Sequence, residues 1–229
     1  MYICDWTHWQ GNPAPAVRIA DEGFGAVKMK AGGATKEGWS FIDPVFASSA
    51  RAVQEEGSLV PFAFWYLVPG RPVAQAGLFC DLIREANKLY PGHLNGWALE
   101  LDVEQVGLTA ADVANFLESW LALTNEYPII VYSNKTLWDK CCRDLVGSSF
   151  THHLEEAHWV SESVRYDGSK PYASQHFHGV DPKWWDVDYG GWHEASILQF
   201  TNRAVVAGKM VPCSYFNGSR QDFRSLFTR

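Results

Sequence analysis

Short apolar runs alternate with helix-patterned stretches along the first two thirds of this chain, and that rhythm limits the folds open to it. Residues 2–4, 25–30, 60–67, 97–103 and 129–133 read as strands. Residues 44–56, 73–89, 110–123 and 134–145 read as helices. In the first of these, Phe46, Ala50 and Val53 fall at helical spacing. Pro69-Gly70 and Pro91-Gly92 act as breakers. Thr109 is placed to cap the third helix, with Asp112 three residues on. Strands alternating with helices imply a parallel sheet. After residue 145 the rhythm changes. Residues 158–162, 196–201 and 211–216 look like strands, separated by loop-rich sequence with few helical patterns. The expectation is a single α/β domain over residues 1–229. It is an irregular TIM-like (β/α) barrel, about five βα units followed by further strands. A chain of 229 residues suits one such barrel better than two cores.

Barrels of this kind gather chemistry at the carboxyl ends of their strands. That rule selects Asp5, Lys30, Tyr66, Glu104, Tyr132, Glu162 and Gln199. The run Glu100-Leu101-Asp102-Val103-Glu104 is the richest of these ends. Residues two apart on a strand share a face, so Glu100, Asp102 and Glu104 point one way. Leu99, Leu101 and Val103 point the other way, toward the helices. Carboxylates crowded on one face repel, which raises at least one pKa. A raised carboxyl suits a general acid near neutral pH, and glycoside hydrolysis needs that acid plus a second carboxylate. The bland alternative is a set of acids paired with arginines or facing solvent from an edge strand. The apolar flanks argue against an edge. Carboxylates alone could hold Mg or Ca. No His or Asp cluster at ligand spacing accompanies them, so no metal and no cofactor are expected. Lys30 fits either a site residue or a partner for an inward carboxylate.

Composition narrows the ligand. Aromatics reach 14%, with 11 Trp. Surplus Trp and Tyr suit a groove that stacks on flat ligand faces such as sugar rings, although each Trp could equally fill core. The net charge is −7 with no Lys/Arg cluster, which excludes nucleic acid as an expected partner. No apolar run reaches transmembrane length, so no membrane insertion is expected. Cysteines stand at 4, 80, 141, 142 and 213, an odd number without zinc spacing. They read as reduced thiols of a chain made in a cytoplasm. Cys4 adjoins Asp5, yet no His is placed by sequence as the base of a thiol nucleophile.

Four motifs, in order, bring a family into view. They are Asp5-Trp6-Thr7-His8-Trp9-Gln10-Gly11, Asp43-Pro44-Val45-Phe46, Leu101-Asp102-Val103-Glu104 and Leu198-Gln199-Phe200-Thr201. Weaker matches are Ile130-Val131-Tyr132-Ser133 and Trp159-Val160-Ser161. Together they resemble glycoside hydrolase family 25, the N-acetylmuramidases of many phages and bacteria, over nearly the whole chain. The resemblance implies five βα units and three further strands. It implies that Glu104 is the acid, with Asp102 and Asp5 in the same site and Asp102 as charge stabiliser or acetamido-orienting group. Lys30 falls at the lysine ending the family's second strand. Glu100, Lys30, Trp65, Tyr66, Tyr132, Trp159 and Gln199 are the candidate substrate contacts. The implied substrate is the glycan strand of bacterial peptidoglycan, cut at the β-1,4 bond after N-acetylmuramic acid by a monomer.

The chain departs from the family pattern at several places. Pro212 stands where the family's Val-Asp-x-Asn-x-Phe motif has Asp, Phe64 and Ser163 stand where it often has Tyr, and Glu100 is an added carboxylate. Two other readings remain. Glu100-x-Asp102-x-Glu104 also resembles the Asp-x-Asp-x-Glu strand of family-18 chitinases, and the Pro212 departure suits a glycan-binding module. No signal peptide is visible. A wall enzyme of this kind is therefore expected to act after release from the cell that makes it, or as part of a particle.

Overall fold

The computed structural model describes residues 1–34, 40–151, 153–157 and 182–227. Nine strands are present among them: β1 (Tyr2–Trp6), β2 (Ala26–Ala34), β3 (Ser40–Ile42), β4 (Val60–Tyr66), β5 (Ala98–Asp102), β6 (Ile130–Ser133), β7 (Leu154–Ala157), β8 (Ile197–Val206) and β9 (Lys209–Phe216). Eight close a barrel in the order β1-β9-β8-β7-β6-β5-β4-β2, with β2 returning to β1. The pairs β1–β2, β2–β4, β4–β5, β5–β6, β6–β7 and β7–β8 are all parallel. β9 alone runs against both of its neighbours, and β3 adds an antiparallel edge to β2. Closure removes the exposed barrel edges that an open sheet would leave. The N-terminal ammonium donates to the Phe216 carbonyl at 2.6 Å and ties the first strand to the last.

Helices cover the outside where the sequence rhythm was regular. They are α1 (Ala16–Asp21), α2 (Phe46–Glu56), α3 (Pro72–Ala86), α4 (Ala110–Thr124), α5 (Lys135–Cys141) and α6 (Arg220–Ser225). Thr109 and Asp112 form the anticipated reciprocal cap on α4. Asn134 caps α5 by accepting from the Leu137 N–H. The α3 and α4 stripes pack on the sheet through Phe79 and Trp120, whose rings lie 5.2 Å apart. Among the described residues, no α-helix falls between β7 and β9 in the chain. Strands β8 and β9 join through Ala207-Gly208, both at positive φ, a two-residue turn whose twist suits a hairpin.

The sequence reading located the early strands well. Residues 158–162 lie outside the described residues, and β7 is found just before them. α1, β3 and α6 were not anticipated. β2 also continues past Lys30, with an irregular register between Lys30 and Gly32. A side chain at Gly32 would collide with the Phe41 carbonyl and the Trp65 ring, so glycine lets β3 close onto β2.

Most of the described tryptophans proved to be core. Trp6, Trp65, Trp97, Trp120, Trp138 and Trp192 are buried.

Candidate active site

Strand parity sorts the barrel interior into a floor and a mouth. On β5, Glu100 and Asp102 face inward, and the chain reaches Glu104 just past the strand end. Asp5 on β1 pairs in register with Lys28 on β2, and both are buried. β7 adds Glu155, level with Tyr132, and β8 adds Gln199.

Lys28 is the hub of the floor. Its Nζ lies 2.8 Å from Glu155 Oε1, 3.2 Å from Glu100 Oε1 and 3.6 Å from Asp5 Oδ1. It also sits 5.1 Å from the centre of the Tyr132 ring. Ser214 on β9 donates to Glu155 Oε1 at 2.7 Å. One ammonium thus faces three carboxyl groups in a dry interior, where uncompensated charge is costly. The protons distribute accordingly. Burial would raise Glu155, but Lys28, Glu100 and Ser214 hold it below its ordinary range. Burial, then the neighbouring Glu155, pushes Glu100 well above its own. Glu155 is the ionised partner and Glu100 keeps a proton. Asp5 is pushed up to about 7 by burial, which Lys28 opposes.

The mouth is built differently. Burial and the adjacent Glu104 hold Asp102 well above the usual carboxylate range. Glu104 is half-buried and is also raised by burial, against the pull of Lys28 and Lys30. Lys30 lies 4.8 Å from the centre of the Tyr66 ring. The Tyr66 hydroxyl donates to Gln105 Oε1 at 2.5 Å, bracing the loop that carries Glu104. Tyr132 donates to Gln199 Oε1 at 2.9 Å, and Gln199 Nε2 reaches Asp5 Oδ2 at 3.5 Å. Asp102 Oδ1 is buried without a hydrogen-bond partner, whereas Asp5 Oδ1 faces the Lys28 ammonium. The Asp102 oxygen is an acceptor that a ligand hydroxyl or amide could satisfy.

The β1 end is pinned by Asp43. Its carboxylate accepts from the His8 backbone N–H at 2.9 Å and from the Val45 N–H at 3.0 Å. Beyond it, Trp9 is 80% exposed and stacks on the His8 ring, with centroids 4.5 Å apart. This projecting aromatic was not singled out from sequence as a ligand contact.

The structure brings Asp5, Asp102, Glu104, Lys30, Tyr66, Tyr132 and Gln199 to the carboxyl ends of the parallel strands. Trp159 and Glu162 lie outside the described residues. Two expected substrate contacts are corrected. Trp65 is fully buried and faces the helices, donating to Gln75 Oε1 at 3.1 Å. By strand parity it points opposite to Tyr66. Glu100 is only 1% exposed and is spent on Lys28 and Glu155 beneath the site. Pro212 falls on β9 one step from the Cys4–Cys213 pair, beside Asp5. Two interior residues were missed. Lys28 was visible to the rule that selected the β5 acids, since it lies two residues before Lys30. Glu155 carried no such signal.

Among the described residues, no group of three or more His, Cys, Asp or Glu is arranged to hold a metal ion. No helix among them is long and apolar enough to cross a membrane.

Comparison with known proteins gives the arrangement a family. The fold is similar to a bacterial lysozyme from Streptomyces coelicolor, with TM-score 0.73, 18% identity, and coverage of 99% of this chain and 96% of that one. It is similar to a family GH25 lysozyme from Aspergillus fumigatus, at TM-score 0.72 and 18% identity over 100% and 99% of the two chains. A muramidase from Trichobolus zukalii gives 0.70 and 20% identity over 99% and 98%. No curated protein matches the chain by sequence. The model of glycosyl hydrolases family 25 matches residues 4–209, and the chain belongs to that family of glycoside hydrolases.

Proposed function

We propose that this enzyme is a muramidase that cuts the β-1,4 bond after N-acetylmuramic acid in peptidoglycan, with Glu104 as the general acid. One observation carries the assignment of roles. Asp102 and Glu104 stand two residues apart at the end of β5; burial raises both above the usual carboxylate range, and the neighbouring Glu104 raises Asp102 further. A pair of this kind loses its protons as a unit. One carboxyl can remain an acid near neutral pH while the other supplies negative charge.

Glu104 is the less buried member, so it is the one that reaches a glycosidic oxygen. It donates its proton as the bond to the leaving sugar breaks. Asp102 lies behind it and faces the sugar carbon that becomes positive, or orients the 2-acetamido group. Asp5, held from below by Lys28 through Oδ1, turns Oδ2 toward Gln199, and that side of the carboxyl is the one placed toward the same sugar. Tyr66, Tyr132 and Lys30 line the mouth, and exposed Trp9 gives a flat face for a ring further along the strand. Family membership disfavours the chitinase reading of the β5 acids.

We place the enzyme among those that meet the wall after release from the producing cell, or on a particle, as phage lytic enzymes do. The five free thiols suit a chain made in a reducing compartment. We take it to act as a monomer.

Product analysis tests the reading. Purified walls are digested, and the soluble fragments are reduced with labelled borohydride and weighed by mass spectrometry. Reduced N-acetylmuramic acid at the new ends is expected. Reduced N-acetylglucosamine would assign the other glycosidic bond. Binding to walls without any fragment would establish a glycan-binding module instead.

A further inference from the structure

Lys28 and Glu155 make no contact that the proposed chemistry requires, yet they occupy the driest part of the barrel beneath it. Asp5 is faced from β2 by Lys28, from the β5 strand and its end by Glu100, Asp102 and Glu104, and from β7 by Glu155. Neutral Gln199 faces it from β8, while on β9 Ser214 holds Glu155 and Cys213 lies opposite Cys4. Within this ring Lys28 alone is a cation in direct contact with Asp5. Glu155 takes the shorter share of it, at 2.8 Å against 3.6 Å, and Ser214 fixes Glu155 in that position.

We propose that Lys28 is a positioning residue whose charge is divided between Glu155 and Asp5, and that this division sets whether Asp5 presents an ionised or a protonated carboxyl to the glycan. The reasoning is electrostatic. In a low-dielectric interior a single ammonium neutralises a single carboxylate, and a second carboxyl nearby binds its proton more tightly. Glu155 claims the charge because it is closer and accepts an extra hydrogen bond. Glu100, 3.2 Å from the same ammonium, keeps its proton and donates toward Glu155. Asp5 is left as the group at the margin, and its elevated titration accords with that position. The inference depends on the proposed function only for its catalytic consequence, since the division of charge exists without substrate.

The test reads Asp5 directly. Protein labelled with carbon-13 at aspartate carboxyls is titrated by NMR without glycan, and Asp5→Asn identifies the signal. Lys28→Met removes the cation, so the Asp5 midpoint is expected to rise. Glu100→Gln combined with Glu155→Gln leaves Lys28 facing Asp5 alone on the floor, so the midpoint is expected to fall. Each change should alter the proton affinity of Asp5 by about tenfold or more. A merely structural role would move both the same way or neither, and either result would overturn the proposal. The doubly substituted protein keeps a balanced ion pair. If Lys28→Met does not fold, an unchanged or raised midpoint in the double variant is enough to reject it. Because no glycan is present, these shifts would persist in a protein that lyses no wall. Failure of the muramidase reading is therefore separable from failure of this one.

Discussion

Two pairs of carboxyls lie on the inward face of one barrel, and they are put to different uses. At the floor, Glu100 and Glu155 close on Lys28 at 3.2 and 2.8 Å, and Ser214 completes the set. At the mouth, Asp102 and Glu104 form no ion pair among the described residues, and Glu104 is half-open to solvent. Chemical type is shared; surroundings differ. The floor spends its charge on holding the barrel together, whereas the mouth leaves protons and acceptors available. Substitution at the mouth should therefore cost rate, and substitution at the floor should cost stability.

The largest expected effect tests the mouth. Glu104→Gln keeps shape and hydrogen bonding but has no proton to give. The rate of wall lysis should fall about a hundredfold to ten-thousandfold. Thermal stability should hold or rise, because a desolvated acid is replaced by a neutral amide. Asp102→Asn should also slow lysis severely. The two losses should not add, because both groups serve one transition state. A folded Glu104→Gln protein that lyses walls at the parent rate would remove Glu104 as the acid.

The floor comes next. Lys28→Met leaves Glu155 as an uncompensated buried charge, which typically costs about 3–5 kcal/mol. Urea or guanidinium unfolding measures it. Glu100→Gln should cost much less, since Glu100 already carries a proton. Equal losses for the two would show that the floor is not organised around the Lys28–Glu155 pair.

How much of this contrast could be read beforehand follows from strand periodicity. The five early strands and the cap at Thr109 were legible because apolar runs and capping chemistry are local. The acids of β5 were legible because their alternation stands out against leucine and valine. The same alternation on β2 pairs Lys28 with Lys30, and it was passed over there. β7 was not legible, since Leu154-Glu155-Glu156-Ala157 carries a carboxyl on each face and shows no apolar period. Burial of Glu155 depends on a lysine 127 residues earlier in sequence, which no local pattern records.

A third prediction concerns pH. Asp5 and Glu156 are both pushed up to about 7, in each case chiefly by burial. Glu156 sits on the outward face of β7 and accepts from the Tyr189 hydroxyl. Both groups hold their protons more tightly folded than unfolded. Between about pH 4 and 7 the unfolded chain releases those protons first, so it binds fewer, and stability falls as pH rises. Glu155 acts the other way, but only at lower pH, because its folded value is depressed. Thermal melts from pH 5 to 7 should show a declining Tm. Glu156→Gln should flatten the decline. A Tm that climbs through this range would contradict the inferred proton distribution on both faces of the barrel.

The smallest expected effect separates the inner from the outer face of a single strand. Trp65 and Tyr66 are adjacent, and only parity tells them apart. Tyr66 turns inward toward Lys30 and Gln105, while Trp65 turns outward to Gln75 and lies 5.8 Å from the Phe79 ring. Gln75 is itself fixed, with its amide donating to the Val68 and Gly70 carbonyls at 2.9 and 2.7 Å. Trp65→Phe removes the indole donor and leaves a small gap beside α3. The cost should be about 1–3 kcal/mol, from one lost hydrogen bond and a partly filled cavity. The KM for wall fragments should not change, because no atom of Trp65 reaches the mouth. Tyr66→Phe should do the reverse: little loss of stability, but a higher KM as the Gln105 loop loses its brace. Paired unfolding and kinetic measurements on the two variants decide it. A raised KM with unaltered stability in Trp65→Phe would mean that the indole meets the glycan after all, and that the outward face of β4 belongs to the binding surface.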